Sequence, residues 1–545
     1  MDMFCYQCEQ AAKGVGCSAY GICGKSPETS NLQDLLVYVL EGISQYASRL
    51  RKRGVQSIEL DRFVVEGLYS TVTNVNFDAS RIEGLIYKAY ELKEKAKNIY
   101  FEVTGETPSL EGPANWRPAD TREGLLKQAK SISFESKAKL YSKDVIGLKD
   151  LILYGLKGMA AYTDHAALLG WEDGGIYAFF HDTLDFLTMS DVTIESLLAK
   201  ALECGRVNLE VMRMLDEAHT KTFGHPVPTN VRISPVKGKA ILVSGHDLLD
   251  LYELLRQTSG TGINVYTHGE MLPAHGYPKL HAFTHLAGNY GGAWQDQHKE
   301  FAEFPGAILM TTNCLQKPLD SYKDRIFTSG LVGWEGIPHI SNRNFRPLIE
   351  AALRSPGFED DAPERFIKVG FGHNAVSEAL PKLLDLVKKN KIRHFFLIGG
   401  CDGAKSGRNY YTEFAELVPE DSIIITLACG KYRFNKKQFG EIEGIPRLLD
   451  VGQCNDAYSA IQIAILLANA LGVDVNSLPI SLILSWYEQK AVCILLTLLS
   501  LGIKNIRLGP SLPAFITPNV LSLLAEKYNI MPIKTAAEDI KAILG

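Results

Sequence analysis

Cys5, Cys8, Cys17 and Cys23 stand in the pattern C-x2-C-x8-C-x5-C, with Gly14, Gly16, Gly21 and Gly24 interleaved or adjacent. Four thiolates this close can enclose one metal centre only if the chain turns tightly, and glycine supplies the backbone conformations that requires. An iron–sulfur cluster is the first reading. A structural zinc would accept the same four ligands, but zinc motifs usually pair two close couplets and only Cys5 and Cys8 form one here. A chance grouping of thiols is the remaining alternative. The spacing matches neither bacterial nor plant-type ferredoxins.

A second set of reactive residues stands immediately after the short aliphatic runs of the C-terminal half. Ala240 to Ser244 leads into Gly245-His246, Ile263 to Thr267 into His268-Gly269-Glu270, and Ala307 to Thr311 into Thr312-Asn313-Cys314. Further on, His394 to Ile398 leads into Gly399-Gly400-Cys401, Ile423 to Leu427 into Ala428-Cys429, Arg447 to Val451 into Gly452-Gln453-Cys454, and Leu482 to Ser485 into Trp486-Tyr487-Glu488-Gln489-Lys490. If the runs are parallel strands, residues just past their carboxyl ends share a crevice. One such cysteine would be an ordinary buried thiol. Four of them, with a histidine and two carboxylates, point to a polynuclear metal site, in which thiolates suit iron–sulfur chemistry and Glu270 and Glu488 are hard oxygen donors.

The elements that must carry these residues divide the chain. From Ser30 to about Gly224 apolar residues recur at helical spacing, as in Leu32, Leu35, Leu36, Val39, Ile43, Tyr46 and Leu50, and in Ile82, Leu85, Ile86, Ala89 and Leu92. No proline lies between Pro118 and Pro226, so helices over Asp144 to Leu169 and Asp191 to Leu215 can run long. After Pro226, Pro228 and Pro235 the pattern becomes α/β. The reading is α + α/β: an all-helical domain with a Cys-rich cap (1–224), then two Rossmann-like parallel-sheet domains (225–362 and 363–545). Phe366 to Val369 is read as the first strand of the second.

Composition narrows the function. At 545 residues the chain exceeds the roughly 250 to 300 at which single cores stop growing. Lys plus Arg at 57 against Asp plus Glu at 62 lacks the basic excess of a nucleic-acid partner. The longest apolar runs, Ile480 to Leu484 and Ala491 to Leu499, fall short of about 18 residues, so no membrane association is expected. No basic segment leads into an apolar stretch after Met1, and a cytoplasmic location is expected, where ten cysteines would stay reduced.

Over essentially its whole length the sequence resembles the hybrid cluster proteins, also called hydroxylamine reductases. The matching stretches are FCYQCEQA (Phe4 to Ala11), SGHD (Ser244 to Asp247), THGEMLPAHGYP (Thr267 to Pro278), TTNC (Thr311 to Cys314), GGCDGAKSGRNYY (Gly399 to Tyr411), ACGKYRFN (Ala428 to Asn435), VGQCNDAYSA (Val451 to Ala460) and SWYEQKAV (Ser485 to Val492). The resemblance implies a 4Fe–4S cluster on Cys5, Cys8, Cys17 and Cys23. It also implies a hybrid 4Fe–2O–2S cluster where three domains meet, on His246, Glu270, Cys314, Cys401, Cys429, Cys454 and Glu488, with a persulfide at Cys401 and Lys490 beside it. The x8 and x5 gaps match the subgroup whose N-terminal cluster has four irons. The implied activity is reduction of hydroxylamine to ammonia and water, with Glu488 or Lys490 assisting proton delivery and a separate donor protein or reductase supplying electrons. Nitric oxide reduction or scavenging, or an S-nitrosylation-linked redox role, is the alternative. A nickel–iron carbon monoxide dehydrogenase-like site is a further one, against which the two carboxylates argue.

Several features compete for attention. GGCDGAKS at Gly399 to Ser406 is one substitution from a phosphate-binding loop, but Ala404 places a Cβ where phosphate must approach. His281 and His285 lie four apart on an expected helix, and with His268 and His275 are assigned supporting or solvent-facing roles. Cys204 and Cys493 are read as core residues.

Overall fold

The structure, a computed structural model, describes residues 2–401, 403 and 408–545. Ser26 opens the first long helix, Pro27–Arg51: its side chain accepts the Thr29 amide, and Pro27 occupies a first-turn position where no intrahelical N–H is lost. Ile58–Ser70 and Ala79–Thr104 come next, and the proline-free stretch forms Lys143–Leu168, Gly174–Leu187 and Ile194–Phe223. Among the described residues no helix is long and apolar enough to cross a membrane.

Two six-stranded parallel sheets succeed the helices. Across the first, the strands run Leu286–Asn289, Ile263–His268, Lys239–Ser244, Ala307–Met310, Ile326–Ser329 and His339–Ile340. The second runs Leu448–Gly452, Ser422–Leu427, His394–Gly400, Ile480–Ser485, Ile506–Gly509 and Met531–Pro532. Numbered by sequence within each sheet, both have the order 3-2-1-4-5-6, that of doubly wound nucleotide-binding folds. Such sheets reverse winding direction between strands 1 and 4, leaving a crevice at their carboxyl ends.

Phe366–Val369 departs from expectation. It pairs antiparallel with Thr229–Arg232, outside either large sheet, and its alternate residues are exposed, as a ribbon with one buried face requires. The short strands Leu286–Asn289, His339–Ile340 and Met531–Pro532 carry too few residues to form a recognisable run. His281 ends the four-residue helix Pro278–His281, so His285 does not share its helix face.

The first sheet has its own apolar layers on each face. By contrast, one continuous core joins the helices to the second sheet, running from Leu32 through Ile152 and Leu215 to Leu496 and Ile506. Its centre is tightly packed. On Lys143–Leu168, a Cβ at Gly158 would lie 2.2 Å from the Gln489 carbonyl oxygen, and on Ile194–Phe223 one at Gly205 would lie 2.1 Å from that of Leu496. These helices therefore press directly on Gln489–Ser500, the helix that begins after Glu488.

Gly158→Ala should consequently destabilise the protein by about 1–3 kcal/mol in urea titrations, the ordinary cost of overpacking. Gly84→Ala, at a helix position with nothing within 4 Å of the new methyl, should be neutral or gain up to about 1 kcal/mol. Equal effects at both positions would contradict the packing described.

Candidate metal centres

The N-terminal cysteines are drawn together by backbone pairing. Cys5 and Cys17 exchange two amide–carbonyl hydrogen bonds, of 3.0 and 2.8 Å. Positive φ at Gly14 and Gly24 lets the chain reverse, and a Cβ at Gly21 would stand 3.0 Å from the Cys23 sulfur. All four cysteines line one small cavity with Lys25 and Asn74. Burial, then the neighbouring Cys23 and Cys5, raises the Cys8 thiol well above its ordinary value. Lys25, itself buried, donates to Gln33 Oε1 at 3.0 Å and lies beside Cys5 and Cys23.

The strand-end residues converge where the two sheets face each other. One ligand atom each of His246, Glu270 and Cys454 lies within a 4.8 Å group. Cys401 and Cys429 pack with Trp294 and Tyr487 in one cluster, and Cys314 packs against it. Glu488, Cys454 and Glu270 all reinforce the rise that burial imposes on the Cys401 thiol, so the two groups of residues form one site. Of the set, only Cys314 is more than marginally exposed. Its φ of +72° is strained for a residue with a side chain.

Hydrogen bonds settle how several of these groups are presented. Lys490 Nζ lies 3.0 Å from His246 Nε2, and an ammonium can only donate, so Nε2 carries the lone pair. The imidazole proton then resides on Nδ1 and is donated to Thr312 Oγ1 at 2.9 Å. Burial, Lys490 and His165 all push the His246 pKa far down, keeping the neutral ring that a metal ligand requires. Glu270 Oε2 accepts the Cys454 amide at 2.9 Å, and Glu488 Oε2 accepts the Lys490 amide at 2.9 Å as the N-cap of its helix. Neither Glu270 Oε1 nor Glu488 Oε1 has a hydrogen-bond partner among the described residues, although both are buried.

Electrostatics give the site its chemistry. Burial raises Glu270 and Glu488, with Lys490 opposing both and Lys431 also opposing Glu270. Burial likewise pushes the Cys454 thiol up to about 12, and Cys429 is raised by its contact with Cys314 and by burial. Lys490 and Lys431 oppose the rise of the two carboxyls without reversing its direction. A multiply charged cation among these donors favours their deprotonated forms, and Glu270 Oε1 and Glu488 Oε1, without hydrogen bonds among the described residues, are suited to bind one, so the donor set fits a metal cluster.

The groups that fix this geometry have no role assigned by the sequence alone. Gln453 Nε2, from the second sheet, donates to the carbonyls of His246 (3.1 Å) and Glu270 (2.7 Å), both from the first. Lys431, fully buried, donates to Asp450 Oδ1 at 2.7 Å and the Gly452 carbonyl at 2.9 Å, tying the Cys429 and Cys454 loops. Tyr487 stacks on Trp294 with centroids 4.3 Å apart and donates to Asn74 Oδ1. Gln489 donates to the Gln7 carbonyl and accepts from the Thr73 amide, joining the strand-end site to the N-terminal loop. Only the position of Gln453 and Lys431 inside motif stretches could have marked them.

The competing features fall elsewhere. His268 pairs with Ser244 and Glu300, His275 with Thr267 and His285 with Thr258, while His281 is exposed. Cys204 and Cys493 are buried in the core, and the Cys493 thiol donates to the Lys490 carbonyl. Ala404 to Ser406 of the phosphate-loop look-alike lie outside the described residues.

A family model described as Prismane/CO dehydrogenase family matches residues 3–541. Hydroxylamine reductase of Syntrophobacter fumaroxidans is 55% identical over 543 residues, covering 100% of both chains. That of Geobacter sulfurreducens is 55% identical over 552 residues, again covering 100% of both. Among solved structures, carbon monoxide dehydrogenase IV from Carboxydothermus hydrogenoformans aligns with TM-score 0.57 at 16% identity, covering 99% of this chain and 92% of that one. A nickel-free carbon monoxide dehydrogenase from Thermococcus sp. AM4 aligns with TM-score 0.55 at 17% identity, covering 99% and 90%. At such identity the likeness concerns the fold.

Replacing Gln453 with Leu removes both donations across the sheets. Loss of a hydrogen bond that orients ligands typically costs ten- to a hundredfold in metal affinity. Purified Gln453→Leu should therefore hold markedly less iron at the strand-end site while retaining the N-terminal signal in electron paramagnetic resonance. Full iron content would show that the staple is dispensable.

Proposed function

The chain belongs to the Prismane/CO dehydrogenase family, and from that premise we propose that it is a hydroxylamine reductase, an oxidoreductase carrying iron–sulfur clusters. Supporting this are the relatives of that name at 55% identity over the full chain and the convergence of four thiols, an imidazole and two carboxylates at the facing sheet ends. In this reading three domains, 1–224, 225–362 and 363–545, enclose two cofactors. Cys5, Cys8, Cys17 and Cys23 would hold a 4Fe–4S cluster. His246, Glu270, Cys314, Cys401, Cys429, Cys454 and Glu488 would hold a hybrid 4Fe–2O–2S cluster, with Cys401 as a persulfide. When bound, these groups would supply a relay for single electrons and electron-rich iron at which an N–O bond is reduced.

The reaction combines hydroxylamine, two electrons and two protons to give ammonia and water. The protein's own residues exclude bulk water and place the proton donor. Lys490 Nζ lies 3.0 Å from His246, 2.8 Å from Asn313 and 3.7 Å from Glu488, with the residue only 1% exposed. Its ammonium can serve protonation of the leaving oxygen, and Glu488, whose Oε1 is free of hydrogen bonds, lies close enough to exchange protons with it. With no flavin or nicotinamide motif in the sequence, electrons come from a separate donor protein or reductase. A reducing cytoplasm suits the ten cysteines, all of them free.

One observation favours nitric oxide as a second substrate. A cavity of about 320 Å³, lined by aliphatic side chains including Leu397, Ile461, Ala464, Leu495 and Leu498, reaches Gly400, Cys401 and Cys454. Such a lining admits small uncharged molecules readily. Steady-state turnover at micromolar hydroxylamine and at micromolar nitric oxide decides between the two.

Anaerobically purified protein should contain about eight irons per chain in two spectroscopic sets, as two four-iron centres require. About four irons would leave only the N-terminal centre, and colourless, iron-free protein would establish a zinc protein. Lys490→Ala should keep its iron and lose about 10²–10⁴ in kcat, the usual worth of a positioned proton donor. Undiminished turnover in that variant would end the lysine's role.

A further inference from the structure

We propose that Asn313 is a substrate-binding residue whose side-chain amide N–H donates to the oxygen of the molecule reduced at the strand-end centre. The orientation of the amide is dictated by its neighbour. Lys490 Nζ lies 2.8 Å from Asn313 Oδ1, and because an ammonium has no acceptor, the amide must present its oxygen there and its NH2 on the other side. Asn313 is fully buried, and its Nδ2 has no partner among the described residues. A buried donor without an acceptor is rare in native proteins and costly.

The chemistry of the missing partner is set by the donor. The orphaned oxygens of Glu270 and Glu488 can be satisfied by a metal, whereas an N–H group cannot ligate one and needs an acceptor atom. Its neighbours locate that acceptor. Asn313 stands between Thr312, which receives the backbone N–H and ring Nδ1 of His246, and Cys314, held at positive φ. The donor is therefore anchored on both sides within the ligand shell. Hydroxylamine and nitric oxide both carry an accepting oxygen. Through one ammonium hydrogen bond, Asn313 and Lys490 become a pair: the lysine sets the amide's orientation, and the amide offers its N–H to the substrate oxygen.

The inference rests on the proposed strand-end cluster, and its test separates the two. Asn313→Asp keeps the volume and the acceptor toward Lys490 but exchanges the N–H for an oxygen, and Asn313→Ser guards against a charge effect. With iron content and resting paramagnetic spectra matching the parent, both variants should raise KM for hydroxylamine about ten- to a hundredfold, the range expected for an unpaired buried hydrogen-bonding group. Nitric oxide provides a readout other than turnover. In the parent protein its infrared N–O stretch should shift between H2O and D2O, and in both variants that sensitivity should be lost.

An unchanged KM would overturn the proposal. So would a parent stretch insensitive to D2O, or sensitivity that persists in the variants and so belongs to Lys490. Altered resting spectra with unchanged KM would assign the amide to the cluster's own bridging atoms and likewise overturn it. Parent protein with no iron at the strand-end site would remove the premise as well.

Discussion

Everything in this protein is arranged around a charge problem: seven potential ligands, six of them anionic when deprotonated, are collected at one almost fully buried point. Among the described residues, Lys490 and Lys431 are the cations acting on their carboxylates, and Lys431 is already engaged by Asp450 at 2.7 Å. Burying unpaired charge is so costly that such groups ordinarily take up protons instead, which is the direction in which Cys401, Cys429, Cys454, Glu270 and Glu488 all move. The arrangement becomes favourable when metal replaces those protons. Ligand binding and the integrity of the interior are thereby coupled.

The fold meets this demand by using one geometric device twice. A doubly wound sheet offers open space at the carboxyl ends of strands 1 and 4, and the two sheets share the 3-2-1-4-5-6 order. His246 and Cys401 come after strand 1 of their respective sheets, and Cys314 and Glu488 after strand 4. Glu270 and Cys429 come after strand 2, and Cys454 after strand 3 of the second sheet. Placing both crevices face to face gathers more potential ligands than either sheet could supply. The helices then act as a lid: the absence of side chains at Gly158 and Gly205 allows them to lie against the helix that Glu488 caps.

Much of this is legible in the sequence because strand ends carry an interpretable signal. Short aliphatic runs mark the strands, the residue after each run marks the crevice, and the set needs no knowledge of how the strands are ordered. The order itself is not legible, since it depends on contacts between residues far apart in the chain. Phe366–Val369 illustrates the limit: four residues rich in apolar side chains satisfy a strand of either sheet, and only its pairing with Thr229–Arg232 reveals a ribbon outside both. The supporting residues are hidden for a different reason. Gln453, Lys431 and Asn313 matter through one or two hydrogen bonds each, with partners 19 to 207 positions away, and composition or periodicity carries no trace of such pairs.

The likeness in fold to carbon monoxide dehydrogenases makes the local donors, rather than the architecture, the seat of specificity. Two carboxylates bring hard oxygen donors into a thiolate environment, favouring a more ionic coordination than sulfur ligands alone would give. The surroundings are divided in the same way. On one side, an aliphatic cavity approaches Cys401 and Cys454; on the other, His246, Glu488 and Asn313 gather around the Lys490 ammonium. The cavity wall suits small uncharged molecules, whereas the ammonium and the groups it binds form a polar environment rich in hydrogen bonds.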